Sequence, residues 1–312
     1  MCNTPAAAVL LATYNGEKYI EELLQSLVDQ TYSNFRCYIH DDGSKDTTVE
    51  ICRKFADSYP DKFIILDYPS AGGAKNNFLS LMSRVSEEYI LFCDQDDVWA
   101  KDKIQKSVDK IIEAENGNHN VPALVFTDLQ IVNADLSVRE PSYLKYIGIS
   151  LKSYNRAQLL FTGIVPGCAF IINKCLLDYS MKYEDASAIF MHDWWSMLVL
   201  YASGGVIDFV DEPLIMYRQH GDNCVGVVKL NFFQRVIKNL KQLFTGKSNK
   251  KDKMAYIKKQ LIELSKLPDI NYENRSFLNR FAEINNKCRL TRMIFYIRYF
   301  HSYKLLFWLL FG

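Results

Sequence analysis

Apolar and polar positions alternate along the first half of the chain with two different periods. Ala7–Ala12 is a short apolar run ending in Thr13-Tyr14-Asn15-Gly16, which reads as a strand followed by a turn. Residues 17–30 then place Ile20, Leu23, Leu24, Leu27 and Val28 at helical spacing. The same two-step pattern returns: Phe35–His40 reads as a strand, Asp41-Asp42-Gly43-Ser44 as a turn and residues 47–59 as a helix. Phe63–Asp67 is strand-like, 77–86 helical, Tyr89–Cys93 strand-like and Lys101–Glu115 helical. After a loop at Asn116–Pro122, Ala123–Val132 reads as a further strand. Strands alternating with helices at this spacing predict an α/β fold built on a mostly parallel, Rossmann-like sheet. In such sheets ligands bind beyond the carboxyl ends of the strands. The acidic turns Asp41–Asp42 and Asp94–Asp97 fall at two of those ends.

From Ser153 the rhythm changes. Gly163–Ile172 contains a glycine–proline turn and a short strand, His192–Ser203 reads as a helix, and Val206–Val210 and Leu214–Tyr217 as two strands. From Lys229 the segments are helical and basic, broken at Gly246–Lys253. No internal repeat interrupts this order.

Composition changes the picture mainly through charge. The net +1 conceals 19 Lys and Arg against 31 Asp and Glu in residues 1–228, and 18 against 5 in residues 229–312. The chain therefore divides electrostatically into an acidic body, 1–228, and a basic helical extension, 229–312. Residues 289–311 interleave Phe295, Tyr299, Phe300 and Trp308 with Arg292, Arg298 and Lys304. Their longest uncharged run, Leu305–Phe311, is far shorter than the ~20 apolar residues of a membrane span. Cations among aromatics suit a segment lying on an anionic membrane surface. The competing reading is a helix packed on the acidic body, or on a partner subunit of a homo-oligomer. Nucleic acid is disfavoured, because the acidic body would repel phosphate. The eight scattered cysteines form no C-x-x-C pair, and no cleavable signal precedes the first strand, so a reducing cytoplasm and no disulfide framework are expected.

Asp94, Asp96 and Asp97 crowd three carboxylates into four residues after an apolar strand, an arrangement that a divalent cation such as Mg²⁺ or Mn²⁺ would relieve. An acidic turn with a helix cap is the plainer alternative. An EF-hand fails because Val98 stands where the loop needs an oxygen. A P-loop fails because Lys241 stands where Gly246-Lys247-Ser248 would need a glycine, and no G-x-G-x-x-G occurs. Asp46 or Thr47 reads as the cap of the helix that follows the Asp41–Ser44 turn.

Leu11-Ala12-Thr13-Tyr14-Asn15, Asp41-Asp42-Gly43-Ser44 and Asp94-Gln95-Asp96-Asp97, in this order and spacing, resemble the family 2 glycosyltransferases with the GT-A fold. Cys93–Trp99, Met191-His192-Asp193-Trp194-Trp195 and Tyr217-Arg218-Gln219-His220-Gly221-Asp222-Asn223 resemble the branch of rhamnosyltransferases that builds bacterial surface polysaccharides. The likeness covers roughly residues 6–225.

The resemblance implies an inverting, metal-dependent transfer of a sugar, L-rhamnose from dTDP-rhamnose as the leading donor, onto a glycan acceptor that is lipid-linked at the inner face of the membrane. It implies that Ala12, Thr13 and Tyr14 contact the nucleotide base, with Tyr14 stacking on it and Asp42, with Asp41 beside it, reading the base edge. Asn77 would touch the nucleotide, Asp94 and Asp96 would lie near ribose and metal, and Asp96, Asp97 and His220 would hold Mn²⁺ or Mg²⁺. Arg218 would meet the diphosphate, Asp193 would be the catalytic base, and Trp194 and Trp195 would offer a flat face to the acceptor sugar. Asp193 could equally be an N-cap, and His192 reads as structural. Two rivals are a nucleotide-sugar pyrophosphorylase, which needs a glycine-rich basic loop that Thr13–Glu17 does not supply, and a non-catalytic scaffold, which would have lost an acidic motif.

Overall fold

A computed structural model describes residues 4–148, 165–221, 259–267, 270 and 272–283. Strand β1 (Ala7–Thr13) and β4 (Tyr89–Asp94) are buried along almost their whole length, as expected of parallel strands covered on both faces. Between them run helix α1 (Ile20–Val28), strand β2 (Phe35–Asp41), helix α2 (Thr48–Ser58), strand β3 (Phe63–Ile65) and helix α3 (Ala74–Met82). Then follow β5 (Val98–Trp99), helix α4 (Lys103–Glu115), β6 (Ala123–Val132), β7 (Val138–Glu140) and the short helix α5 (Tyr143–Tyr146). Beyond the undescribed stretch lie β8 (Phe170–Asn173), α6 (Lys174–Ser180), α7 (His192–Ala202), β9 (Val206–Arg218) and α8 (Tyr272–Glu283).

The described strands form one sheet in the order β3-β2-β1-β4-β8-β6-β9-β5, with β7 paired to β6. The first four are parallel, β8 runs antiparallel between β4 and β6, and β9 is parallel to β6. This is the α/β arrangement with a largely parallel half that the alternating pattern predicts, and it fits the GT-A fold that the resemblance implies. Apolar rows on α1 (Ile20, Leu23, Leu24, Leu27) and α4 (Ile104, Val108, Ile111) are fully buried and cover the sheet.

Three elements differ from the sequence reading. Helix α3 begins at Ala74 rather than 77, because Gly73, at φ +109°, turns the chain into the helix from a conformation that a side chain disfavours. The two strands expected at Val206–Val210 and Leu214–Tyr217 are one, β9; its register against β6 shifts around Asp128, so one irregular strand reads as two. The third concerns the basic extension. Residue 228 marks a change of charge rather than a packing boundary, since Leu261, Leu264, Phe277 and Leu278 are buried in the same core as the sheet. Asn274 Nδ2 donates to the carbonyls of Tyr201 and Ala202 at the end of α7, both at 3.0 Å. The aromatic stretch 289–311 lies outside the described residues. Among the described residues no helix is long and apolar enough to cross a membrane.

Candidate active site

The parallel register brings the motifs together. Thr13 lies opposite Asp41, and Ala12 sits between His40 on one side and Asp94 on the other, so three turns far apart in the chain open onto one sheet edge. Tyr14, just past β1, is 54% exposed, and its ring is available as a stacking face. Its backbone is clamped by Gln95, whose Oε1 accepts from Tyr14 N and whose Nε2 donates to Tyr14 O, both at 2.8 Å.

Asp41 organises its own turn. It accepts from Thr13 Oγ1 (2.9 Å), Gly43 N (2.9 Å) and Ser44 N (2.7 Å). Asp42 reaches the next loop, where Ser70 Oγ (2.7 Å) and the amides of Ala71 (2.6 Å), Gly72 (2.9 Å) and Gly73 (2.5 Å) donate to it. Burial opposes its ionisation, but these four donors outweigh it and hold the carboxyl below the ordinary range. Three of the four fall on Oδ1 and one on Oδ2, so Oδ2 keeps capacity for one further bond. Asp42 therefore shapes this loop while Oδ2 can still accept one further hydrogen bond. Asn77 is buried, with Oδ1 2.7 Å from His40 Nδ1 and Nδ2 donating to His40 O at 3.0 Å. The expected nucleotide contact is corrected there: an amide tied into β2 on both sides is a structural brace.

In the second acidic turn each carboxylate has a different environment. Asp96 Oδ2 lies 2.8 Å from His220 Nε2. Asp97 is wholly buried; its Oδ1 accepts from Arg218 N at 3.2 Å, and its Oδ2 is buried without a hydrogen-bond partner. Burial, then the charges of Asp96 and Asp94, push Asp97 well above the usual carboxylate range. Burial also lifts Asp94 to about 7, with Asp96 and Asp193 adding to it. Donor atoms of Asp94, Asp97 and Cys168 lie within 4.8 Å of one another. Of the expected ligands Asp96, Asp97 and His220, Asp96 and His220 bond each other, while donor atoms of Asp94 and Cys168 gather with Asp97. A crowded carboxylate set with one orphaned buried oxygen fits a divalent cation.

Arg218 is also corrected. Its guanidinium is buried, with Nε donating to Asp96 O (2.7 Å), Nη1 to Ala134 O (2.5 Å) and Nη2 to Glu22, and it lies over the Tyr19 ring at 4.6 Å. It braces the acidic turn from behind instead of facing phosphate oxygens.

Asp193, in the first turn of α7, stands opposite this turn. Its Oδ1 accepts from Trp194 N at 2.6 Å, but the N-cap position is Met191, so Asp193 does not fill the capping role also read from the sequence. Burial nevertheless pushes its carboxyl up to about 6, against the lowering effect of the Trp194 and Gly167 amides. Gly167 permits this approach: a Cβ there would lie 3.0 Å from both Asp193 Cβ and His192 Nε2. Asp193 is near enough to be one of the charges that raise Asp94, and it packs on Gly167, next in the chain to Cys168. His192 is buried between Phe78 (ring centroids 4.0 Å) and Phe92 (4.9 Å), and burial draws its pKa down to about 3, as a structural residue requires.

The two tryptophans separate. Trp194 is half-buried and meets Phe190, itself 44% exposed, edge to face at 6.0 Å. Trp195 is fully buried, and its Nε1 donates to Ser180 O at 2.8 Å, so its expected place on the acceptor side is corrected to the core. Trp195→Ala is expected to destabilise the protein by about 3–5 kcal/mol in chemical denaturation. A loss below about 1 kcal/mol would place the ring at the surface. Phe190 and Cys168 escaped the sequence reading: a lone aromatic and a lone cysteine at a strand start both look like core.

The sheet order, with the acidic turns at the carboxyl ends of its parallel strands, is a GT-A-like α/β architecture. Glycosyl transferase family 2 matches residues 8–172. The chain is 35% identical over 231 residues to the dTDP-rhamnosyl transferase RfbG of Shigella flexneri, covering 69% of this chain and 73% of that one. It is 27% identical over 185 residues to the minor teichoic acid biosynthesis protein GgaA of Bacillus subtilis, covering 57% and 41%. In three dimensions it resembles S. aureus TarS (TM-score 0.58, 17% identity, 97% of this chain and 45% of that one). It also resembles the mannosyltransferase PcManGT of Pyrobaculum calidifontis in complex with GDP-Man and Mn²⁺ (TM-score 0.54, 13% identity, 93% and 72%). The protein belongs to glycosyl transferase family 2 and is a glycosyltransferase.

Proposed function

We propose that this enzyme is an inverting, metal-dependent rhamnosyltransferase that moves L-rhamnose from dTDP-rhamnose to a lipid-linked glycan during synthesis of a bacterial surface polysaccharide. The observation that carries the chemistry is that Asp193 packs on Gly167, whose neighbour Cys168 lies with Asp94 and Asp97, and that burial raises the Asp193 pKa. The donor sugar is supported by the likeness to RfbG alone.

In this reading the nucleotide base stacks on Tyr14, and Thr13 and Ala12 form the floor beneath it. Asp41 and Asp42 keep the surrounding loops in shape. Asp94 and Asp97 would hold Mn²⁺ or Mg²⁺, which supplies positive charge to the diphosphate as the bond to the sugar breaks. Asp193 takes the proton from the acceptor hydroxyl while that oxygen attacks the anomeric carbon from the face opposite the leaving nucleotide. Trp194 and Phe190 offer an aromatic wall to the acceptor. The excess of positive charge in residues 229–312 supports a peripheral place on the anionic inner face of the cell membrane.

The test is a donor screen. Protein with Mn²⁺ is expected to hydrolyse dTDP-rhamnose at least about tenfold faster than UDP-GlcNAc or GDP-mannose, since a site built to hydrogen-bond its own substrate discriminates by that much or more. Faster turnover of another donor would overturn the sugar assignment, and turnover of none would overturn the enzymatic reading.

A further inference from the structure

Cys168 lies in the short turn Gly167–Ala169 that leads into β8, the strand antiparallel to β4. Their register pairs Leu91 with Ile171, and run on by three residues it sets residue 168 beside Asp94. The thiol is buried, so solvent does not explain its position. Donor atoms of Asp94, Asp97 and Cys168 all fall within 4.8 Å of one another. Two ligands on opposite sides of one ion, each about 2.0–2.5 Å from it, are about 4–5 Å apart. A single ion can therefore take all three.

A second observation points into the same space. Asp97 Oδ2 is buried and, apart from the weak S–H donor of Cys168 beside Asp97, has no hydrogen-bond partner, a costly condition that a cation removes. Two protein cations are close by, and the Arg218 guanidinium is turned to Asp96 O, Ala134 O and Glu22. The Lys103 ammonium, also buried, is coupled to Cys168, Cys93 and Asp97, but it makes no hydrogen bond and sits 3.8 Å from the centre of the Trp99 ring. One ammonium does not balance Asp94, Asp96, Asp97 and Asp193.

We infer that Cys168 is a third ligand of the ion held by Asp94 and Asp97, giving a mixed carboxylate–thiolate site that favours sulfur-tolerant ions, Mn²⁺ through Zn²⁺, over Mg²⁺. The inference rests on the metal-dependent reading above. On binding, the S–H bond breaks, the proton leaves to solvent and the sulfur lone pair forms the bond to the metal. Thiolate is the soft ligand of the set and carboxylates are the hard ones, so replacing sulfur by oxygen should shift ion preference rather than abolish binding.

Cobalt reports the bond directly. Titration of the full-length protein with Co²⁺ is expected to produce a near-ultraviolet thiolate-to-cobalt charge-transfer band. The band is lost in Cys168→Ser and in Cys168→Ala, and kept in Cys175→Ser. In equilibrium dialysis Cys168→Ser should lose about tenfold or more in Cd²⁺ affinity and change little for Mg²⁺. Co²⁺ bound to the wild type without the band, or Cd²⁺ bound equally by wild type and Cys168→Ser, overturns the inference while leaving a carboxylate metal site standing. Failure of the wild type to bind any of these ions overturns both. If the serine and alanine variants do not fold, as circular dichroism would show, the wild-type band and its loss in Asp97→Asn decide the matter.

Discussion

Asp193→Asn is expected to lower acceptor-dependent transfer by about 10²–10⁴-fold, the usual cost of removing a general base, while donor affinity persists. The amide keeps the shape of the side chain and can still accept the Trp194 N–H through its carbonyl oxygen, so the start of α7 survives. What it cannot do is take a proton. The wild-type rate should fall about tenfold per pH unit below about 6, because the base must be ionised and burial has raised its pKa to about 6. Stability should move the other way. The folded pKa exceeds that of an unfolded aspartate, so the fold disfavours the ionised form. That penalty is absent below about pH 4 and complete above about pH 6. Allowing for the partial exposure of Asp193, the neutral amide should raise stability at pH 7 by about 1–2 kcal/mol and do little at pH 4. Rate–pH profiles and thermal melts at the two pH values check both halves. A transfer loss below about tenfold would leave Asp193 a structural residue of the first turn of α7 and place the base elsewhere.

Much of this site was legible because its signals are local. A strand that ends in Asp-Asp-Gly-Ser reads as an acidic turn whatever packs around it, and parallel register then brings Asp41 beside Thr13 and Asp94 beside Ala12. The illegible part depends on which way a side chain faces across the core. Trp194 and Trp195 are neighbours on a helix, and nothing in their spacing says that one meets the cleft and the other Ser180. Arg218 and Asn77 carry polar groups suited to a nucleotide, yet the nearest unsatisfied partners were Asp96 O, Glu22 and the backbone of His40. A buried main-chain carbonyl competes for donors as strongly as a ligand does, and sequence does not reveal where such carbonyls lie. Cys168 needed the antiparallel return of β8 against β4, a pairing between residues some eighty positions apart.

Asp97→Asn is expected to cost about 10²–10⁴-fold in turnover, equivalent to the several kcal/mol that a bound metal contributes to charge stabilisation. Asn retains the Oδ1 that accepts from Arg218 N but removes the charge, so the acidic turn keeps its shape and loses its hold on a cation. The change also predicts an effect independent of activity. An ion that binds only the folded wild type at 100 times its Kd adds about 2.7 kcal/mol of stability, which shifts the melting temperature by several degrees. Mn²⁺ should therefore raise the melting temperature of the wild type and leave that of Asp97→Asn where it was. Without metal the order reverses. Asp97 is buried beside Asp94 and Asp96 with an orphaned oxygen, and its pKa is driven upward by that burial and those charges. A neutral amide relieves both the desolvation and the repulsion, so metal-free Asp97→Asn should melt no lower than the metal-free wild type. A wild type that keeps full turnover after EDTA treatment, or an Asp97→Asn protein still stabilised by Mn²⁺, would place the cation elsewhere or remove it from the reaction.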